Sequence, residues 1–181
     1  MSDLVEMVVD SVRVHMLSSQ HVVILRESER DRYLPIWIGP WEANSIAMRL
    51  QGSVPERPLT HDLMAAILKE LHVTVKRVVI VDLARETFHA RLVVEDATGH
   101  EIEIDSRPSD ALAIAVRLDA PILADADVLE RAGIEIEKPD QDEEEDERLA
   151  VFREFVNSLP FEGGDERSEG PGPGTGFGPA E

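Results

Sequence analysis

The stretch Arg57-Pro58-Leu59-Thr60-His61-Asp62-Leu63 marks the start of a helix and places a histidine and a carboxylate in its first turn. Pro58 disfavours helical geometry at Arg57, and the hydroxyl of Thr60 is a suitable helix cap. The apolar residues that follow recur with helical spacing; they are Leu63, Met64, Ile67, Leu68 and Leu71. We therefore predict an amphipathic helix from His61 to about Leu71.

A second stretch, Asp105-Ser106-Arg107-Pro108-Ser109-Asp110, places the same residue types before an apolar run at 111–116. Free backbone N–H groups and a partial positive charge at a helix N-terminus attract a phosphate or the aspartate of the helix itself, and both interpretations fit this sequence. Each stretch precedes a helix whose preceding segment belongs to, or packs on, the same sheet. We therefore predict that the two polar clusters lie close together, with His61 near Asp110.

The order of the remaining segments predicts an α+β fold. Alternating or continuous apolar runs predict strands at 4–16, 22–25, 33–38, 73–81, 88–94, 101–105 and 122–123. Helical spacing predicts further helices at 43–50, 111–118 and 126–132. Pro35 places its strand at an edge or a bulge, whereas the run at 78–81 is typical of a central strand. We predict a mixed, mainly antiparallel sheet packed with three to four helices.

Composition divides the chain into a domain at 1–136 and an acidic tail at 137–181. Residues 1–137 hold 14 basic and 24 acidic residues, a net charge of −10, and residues 138–181 hold 4 and 13, a net charge of −9. Acidic and Gly/Pro-rich sequence in the tail predicts disorder. Between the acidic run and the Gly/Pro-rich end of the tail, the segment 147–159 has the apolar spacing of a short amphipathic helix. Such a helix is suited to docking on the domain or on a partner.

Several classes of function are disfavoured by the composition. Cysteine is absent, which excludes disulfides and thiolate chemistry and suits a cytoplasmic protein. No apolar run is long enough to span a membrane, and acidic residues interrupt the first apolar segment, so we expect neither a membrane span nor a signal peptide. The histidines other than His61 lack the paired spacing of a zinc site. The global negative charge also opposes nucleic-acid binding unless basic residues cluster locally.

Three motifs resemble the bifunctional nuclease domain family. They are Ile36-Trp37-Ile38-Gly39 with Glu42-Ala43, then Arg57 through Met64, then Asp105 through Ala111, with Ser106 as a mild departure. The similarity covers about residues 4–135. It implies an α+β fold, self-association into a homo-oligomer, and cleavage of RNA and DNA, which plant relatives perform.

The polar clusters contain the groups that such chemistry needs. His61 is the candidate acid or base, and the candidate Mg²⁺ ligands are Glu42, Asp62, Asp105 and Asp110. Candidate substrate-binding residues are Arg57, Thr60, Arg107 and Ser109. The alternative is structural: the hydroxyls cap helices, the aspartates complement helix dipoles, and the arginines neutralise those aspartates. The corresponding functions are a nuclease acting on RNA or DNA and a non-catalytic oligomeric module.

Overall fold

The structure, a computed structural model, describes residues 3–15 and 20–135. The end of the first predicted strand, the acidic tail and the segment 147–159 lie outside the described residues. In chain order the elements are β1 (Leu4–His15), β2 (Gln20–Glu27), β3 (Arg32–Ile38), α1 (Pro40–Leu50), α2 (Thr60–Glu70), β4 (Thr74–Ala84), β5 (Thr87–Glu95), β6 (Glu101–Ser106), α3 (Pro108–Leu118), β7 (Ile122–Asp125), α4 (Ala126–Ala132) and β8 (Ile134–Glu135).

The strands form one mixed sheet in the order β6-β5-β4-β7-β1-β2-β3-β8. Every neighbouring pair is antiparallel except β4 and β7, which run parallel. The predicted α+β class and mainly antiparallel sheet are confirmed. Pro35 pairs with Ile24 on one side, while β8 pairs only with Arg32 and Tyr33 on the other. The missing N–H of Pro35 therefore interrupts no strand pairing on its outer side.

The core lies between this sheet and the helices. Val78 and Ile80 of β4 are fully buried, as the continuous apolar run predicts, and Ile46 of α1 and Leu112 of α3 pack in the same cluster. Helix α3 contacts α1, α2, β4 and β5. Its small residues, among them Ala111, allow this close packing. Because α3 lies between α1 and α2, its N-terminal residues are brought next to polar side chains on both of those helices.

The most exposed apolar stripe belongs to α2. Leu63, Met64, Ile67 and Leu71 are 43 to 64% exposed, and no residue of α2 is fully buried. The opposite side of the helix, with His61 and Leu68, faces the domain. An amphipathic helix usually turns its apolar stripe to the core of its own domain. Helix α2 therefore uses one face for the fold and presents a second, apolar face to its surroundings.

The longest helices, α1, α2 and α3, have 11 residues each. At about 1.5 Å per residue they are about 17 Å long, against a bilayer core of about 30 Å. Within 3–15 and 20–135, no helix combines the length and the apolar character needed to cross a membrane.

Neither predicted hydroxyl cap forms. Helix α2 has Leu59 at its N-cap, and the Asp62 carboxylate accepts the backbone N–H of Leu59 at 2.8 Å, so Thr60 is an exposed first-turn residue. Helix α3 has Arg107 at its N-cap and Pro108 in its first turn, which places Ser109 inside the helix, where it is buried. The prolines shift each hydroxyl past the capping position, and a carboxylate three residues beyond the N-cap lies in its first turn.

Candidate functional site

Three helices contribute to one hydrogen-bonded chain of side chains. Ser45 Oγ of α1 lies 2.9 Å from His61 Nδ1 of α2, and His61 Nε2 lies 3.1 Å from Asp110 Oδ1 of α3. Ser45 is buried, and the His61 side chain is 13% exposed. The two polar clusters therefore meet, as predicted, and the imidazole joins all three helices.

Arg107 extends this chain to the surface. Its Nε donates to Asp110 Oδ2 at 2.7 Å, and its Nη2 donates to Glu42 Oε1 at 2.7 Å and to Asp110 Oδ1 at 3.1 Å. The Arg107 side chain is 67% exposed, whereas that of Glu42 is 16% exposed. The two carboxylates bind the guanidinium on the side that faces the protein, and the rest of the Arg107 side chain is exposed to solvent. We call Ser45, His61, Asp110, Arg107 and Glu42 the His61 network.

The charges of the His61 network follow from these contacts. Burial alone would raise the pKa of Asp110, but hydrogen bonds from Arg107 and His61, together with their charges, lower it below the usual range. Hydrogen bonding to Asp110 and then to Glu42 raises the pKa of Arg107. Arg107 and Asp110 are therefore an ion pair at neutral pH.

The ionised Asp110 fixes the tautomer of neutral His61. An ionised carboxylate only accepts hydrogen bonds, so Nε2 must carry the proton that it donates to Asp110. Nδ1 then has a lone pair and accepts a hydrogen bond from the Ser45 hydroxyl. A hydroxyl, an imidazole and a carboxylate in this order are the arrangement by which enzymes orient an acid–base histidine.

Asp62 belongs to a separate, structural pair. Arg117 Nε donates to Asp62 Oδ1 at 2.6 Å, while Nη1 donates to the Ala113 carbonyl and Nη2 to the Ser45 carbonyl. The Arg117 side chain is 6% exposed. Burial alone would raise the pKa of Asp62, but the bonds from Arg117 and the Leu59 backbone lower it below the usual range. Asp62 thus fixes the start of α2 and neutralises a buried cation.

Besides Asp62, four predicted site residues lie outside the His61 network: Thr60, which is exposed, Ser109, which is buried in the first turn of α3, Asp105 and Arg57. Asp105 lies on β6, is 75% exposed and pairs with Arg91 of the neighbouring strand. Arg57 is exposed and forms no ion pair with any residue that the structure describes. Of the two candidate arginines, only Arg107 therefore contacts Asp110, the hydrogen-bond partner of His61.

The four carboxylates considered as Mg²⁺ ligands do not converge. Asp62 binds Arg117 and Asp105 binds Arg91, while Glu42 and Asp110 both bind Arg107. In the described ranges no three histidine or carboxylate side chains are placed to hold one metal ion. These residues do not fit a magnesium site as they are arranged, and we derive no step through a metal.

Sequence reasoning missed Ser45 and Arg117. Ser45 lies between Ala43 and Ile46 in the buried stripe of α1, and a hydroxyl within an apolar stripe was the available signal. Arg117 lies in the last turn of α3, where a basic residue is expected from the helix dipole alone. Its partner Asp62 is 55 residues away in the sequence, so only the packing of α2 on α3 reveals the pair.

Comparison with known proteins identifies related sequences. The sequence profile of the bifunctional nuclease domain matches residues 23–137. An uncharacterised protein of Mycobacterium tuberculosis is 42% identical over 160 residues, which cover 85% of this chain and 94% of that protein. Bifunctional nuclease 1 of rice, Oryza sativa subsp. japonica, is 23% identical over 131 residues, which cover 71% of this chain and 40% of the rice protein. The matched residues of the profile include the whole His61 network.

Proposed function

The chain belongs to the bifunctional nuclease domain family, and we propose that it hydrolyses phosphodiester bonds of RNA or DNA at the His61 network. The observation that carries this proposal is the position of His61, which lies between Ser45 and Asp110. Asp110 in turn binds the exposed cation Arg107. Distant rice relatives named bifunctional nuclease support the reaction class.

Arg107 has the role of phosphate-binding residue. A guanidinium binds phosphate oxygens through paired N–H donors, and it stabilises the negative charge that develops on them during cleavage. Because Glu42 and Asp110 hold Arg107 from the protein side, its orientation is fixed before the substrate arrives. Glu42 is therefore a positioning residue for Arg107.

His61 has the role of general acid. Its Nδ1 faces the buried Ser45, whereas its Nε2 faces Asp110, whose side chain is 31% exposed, so we place proton exchange at Nε2. Protonated His61 releases its hydrogen bond to Asp110 and donates the Nε2 proton to the leaving oxygen as the bond from phosphorus to that oxygen breaks. Water adds to phosphorus and loses its proton to solvent, and Arg107 stabilises the charge on the non-bridging oxygens. Ser45 and Asp110 orient the imidazole.

Replacing Arg107 by alanine tests the phosphate-binding role. We expect kcat/KM for a labelled oligonucleotide to fall about 10²-fold, because one preorganised donor to the transition-state charge is lost. Arg107→Lys should recover part of the activity, since it keeps the charge without the paired donors. The measurement is initial cleavage rate on RNA and DNA, with Mg²⁺ and with EDTA.

The matched control for this variant is Arg91→Ala. Arg91 also pairs with an aspartate, Asp105, but lies outside the His61 network. Its kcat/KM should stay within about twofold of the wild-type value, because exposed ion pairs contribute little. An Arg107→Ala variant as active as Arg91→Ala would remove Arg107 from the mechanism.

A second candidate function, a non-catalytic oligomeric module, is favoured by the exposed apolar stripe of α2. The pairing of Arg107 with two carboxylates also fits a structural role, whereas the unpaired Arg57 does not. In this candidate the stripe of Leu63, Met64, Ile67 and Leu71 packs on the same stripe of a second copy of the chain. Burying these side chains would remove apolar surface from water and stabilise the assembly.

Ile67→Glu tests the assembly. We expect the sedimentation coefficient to fall to that of a monomer, because a buried unpaired carboxylate strongly opposes association. Ala66→Glu is the control, since it adds the same charge at an exposed position beside the stripe. A wild-type protein that sediments as a monomer would rule out this interface. Equal effects of Ile67→Glu and Ala66→Glu would show that added charge, and not loss of the apolar contact, dissociates the assembly.

A further inference from the structure

A cavity of about 500 Å³ lies beside Arg107, between the end of β3, the start of β5 and the N-terminus of α3. In the sheet order, β3 and β5 are five positions apart. Strands spaced about 4.8 Å apart would lie about 24 Å from each other in a flat sheet. One cavity lined by both strands therefore shows that the sheet curves around it, and its volume is typical of small-molecule sites.

The walls of this cavity are partly aromatic. Trp37 of β3 is 51% exposed. Its neighbours Ile36 and Ile38 are turned into the protein, because successive side chains of a strand point to opposite faces of the sheet. Phe88 of β5 lines the cavity from the other side and is partly buried against the core. An exposed indole at the edge of an aromatic-lined cavity is the chemistry that stacks nucleic-acid bases.

Arg107 belongs to this cavity and to the His61 network at once. It lines the cavity together with Pro108 and Ser109, while its Nε and Nη2 are held by Asp110 and Glu42. A base stacked on Trp37 would thus have its own phosphate within reach of the guanidinium. The cavity is therefore continuous with the proposed reaction centre.

His21 is a further residue of the cavity lining. Its Nδ1 is buried and has no hydrogen-bond partner in the described part of the chain. Because this atom has almost no accessible surface, it offers no hydrogen bond to a ligand in the cavity as it stands. His21 lines this cavity and a neighbouring one of about 250 Å³.

From these contacts we propose that the cavity binds one unpaired nucleotide of the substrate, with its base stacked on Trp37 and its phosphate on Arg107. This inference rests on the proposed phosphodiesterase function and names its substrate class, single-stranded RNA or DNA. In a duplex, each base is already stacked between its neighbours and paired, so its face is not available to Trp37. Glu86 at the cavity edge and the net charge of −10 over residues 1–137 leave stacking as the main source of affinity.

The binding test uses the His61→Ala variant, so that cleavage does not consume the probe. Anisotropy of a labelled ten-nucleotide single strand is titrated with this protein, and unlabelled single strand or duplex of the same sequence competes. We expect the single strand to compete at least tenfold better than the duplex. Adding Trp37→Ala should weaken binding about 5- to 150-fold, the equivalent of one lost stacking contact of about 1–3 kcal/mol.

Two further variants locate the contact. Trp37→Phe should retain most of the affinity, since a phenyl ring also stacks, and Trp41→Ala should leave it unchanged, because Trp41 is 82% exposed and outside the cavity. With Trp41→Phe added, Trp37 is the only tryptophan of the chain, and its fluorescence should be quenched by the single strand. The slope of log affinity against log salt should be about −0.7, the value for one phosphate contact on a single strand.

The outcomes separate this inference from the proposed function. Trp37→Ala binding as tightly as its parent, or equal competition by duplex, would overturn the nucleotide site even if the wild-type protein cleaves. Selective single-strand binding that depends on Trp37, in a wild-type protein that cleaves nothing, would retain the site and overturn the nuclease. No binding of either oligonucleotide would also overturn the inference.

Discussion

The His61→Ala variant is expected to cleave labelled RNA and DNA about 10²- to 10⁴-fold more slowly than the wild-type protein, the range for a lost general acid or base. The physical reason is that no other titratable group lies between Ser45 and Asp110, where the imidazole bridges them. The loss should appear in kcat, because Arg107 still binds the phosphate. Initial rates at saturating substrate measure it.

The His61 substitution also removes two hydrogen bonds, so stability must be measured beside activity. Each bond contributes about 0.5–1.5 kcal/mol, and His61→Ala should lower the unfolding free energy by about 1–3 kcal/mol. His61→Gln is the matched variant, because its amide can donate to Asp110 but cannot exchange a proton at neutral pH. A His61→Gln protein that retains wild-type activity would remove His61 from the chemistry.

The Asp62→Ala variant is expected to lose about 2–4 kcal/mol of unfolding free energy, because it leaves Arg117 buried without its counter-charge. The Arg117 side chain is 6% exposed and that of Asp62 is 28% exposed. Because Asp62 is partly solvated, the lower end of the expected loss of unfolding free energy lies below that for a fully buried pair. Asp62→Ala also removes the acceptor for the Leu59 N–H. Urea unfolding measures the difference.

A double variant distinguishes the ion pair from the helix start. Adding Arg117→Met to Asp62→Ala removes the unpaired cation and keeps an apolar stem, so part of the lost stability should return. If the double variant is no more stable than Asp62→Ala, the buried charge is not the cause. A loss below about 0.5 kcal/mol in Asp62→Ala alone would show that Asp62 is an ordinary surface residue.

The same pair sets a pH dependence. Although burial opposes it, the hydrogen bonds from Arg117 and Leu59 hold the pKa of Asp62 in the folded protein below its ordinary value of 3.8, so its ionised form stabilises the fold. This contribution is fully present above that value and is lost as pH falls through the folded pKa. The stability difference between the wild-type protein and Asp62→Ala should therefore be constant from pH 7 to 5 and become smaller below 3.8, as acid-dependent urea unfolding would show.

Local sequence patterns were sufficient to predict most of the fold and four of the five residues of the His61 network. Periodicity located the main helices and strands, and the matching polar clusters placed His61 beside Asp110. The two-residue strand β8 was missed because it is too short to have a period. The faces of α2 were not predictable, because both carry apolar residues: Leu68 faces the domain, whereas Leu63 and Ile67 are exposed.

Long-range pairing explains the remaining differences. Arg57 is five residues from Asp62 in the sequence and shares its motif, but the buried Arg117 of another helix is the partner. Asp105 is the first residue of the second polar stretch, but it lies on β6 and pairs with Arg91 of the neighbouring strand. These choices depend on how α3 packs between α1 and α2, which spacing within a single segment does not encode.

The most direct measurement is cleavage of end-labelled single-stranded RNA and DNA by the wild-type protein and His61→Ala, purified in parallel so that contaminating nucleases are common to both. The His61 network as reaction centre predicts cleavage that elutes with the wild-type protein and is at least 10²-fold slower in the His61→Ala preparation. Absence of cleavage by the wild-type protein on both substrates, or equal cleavage by the two preparations, would contradict it.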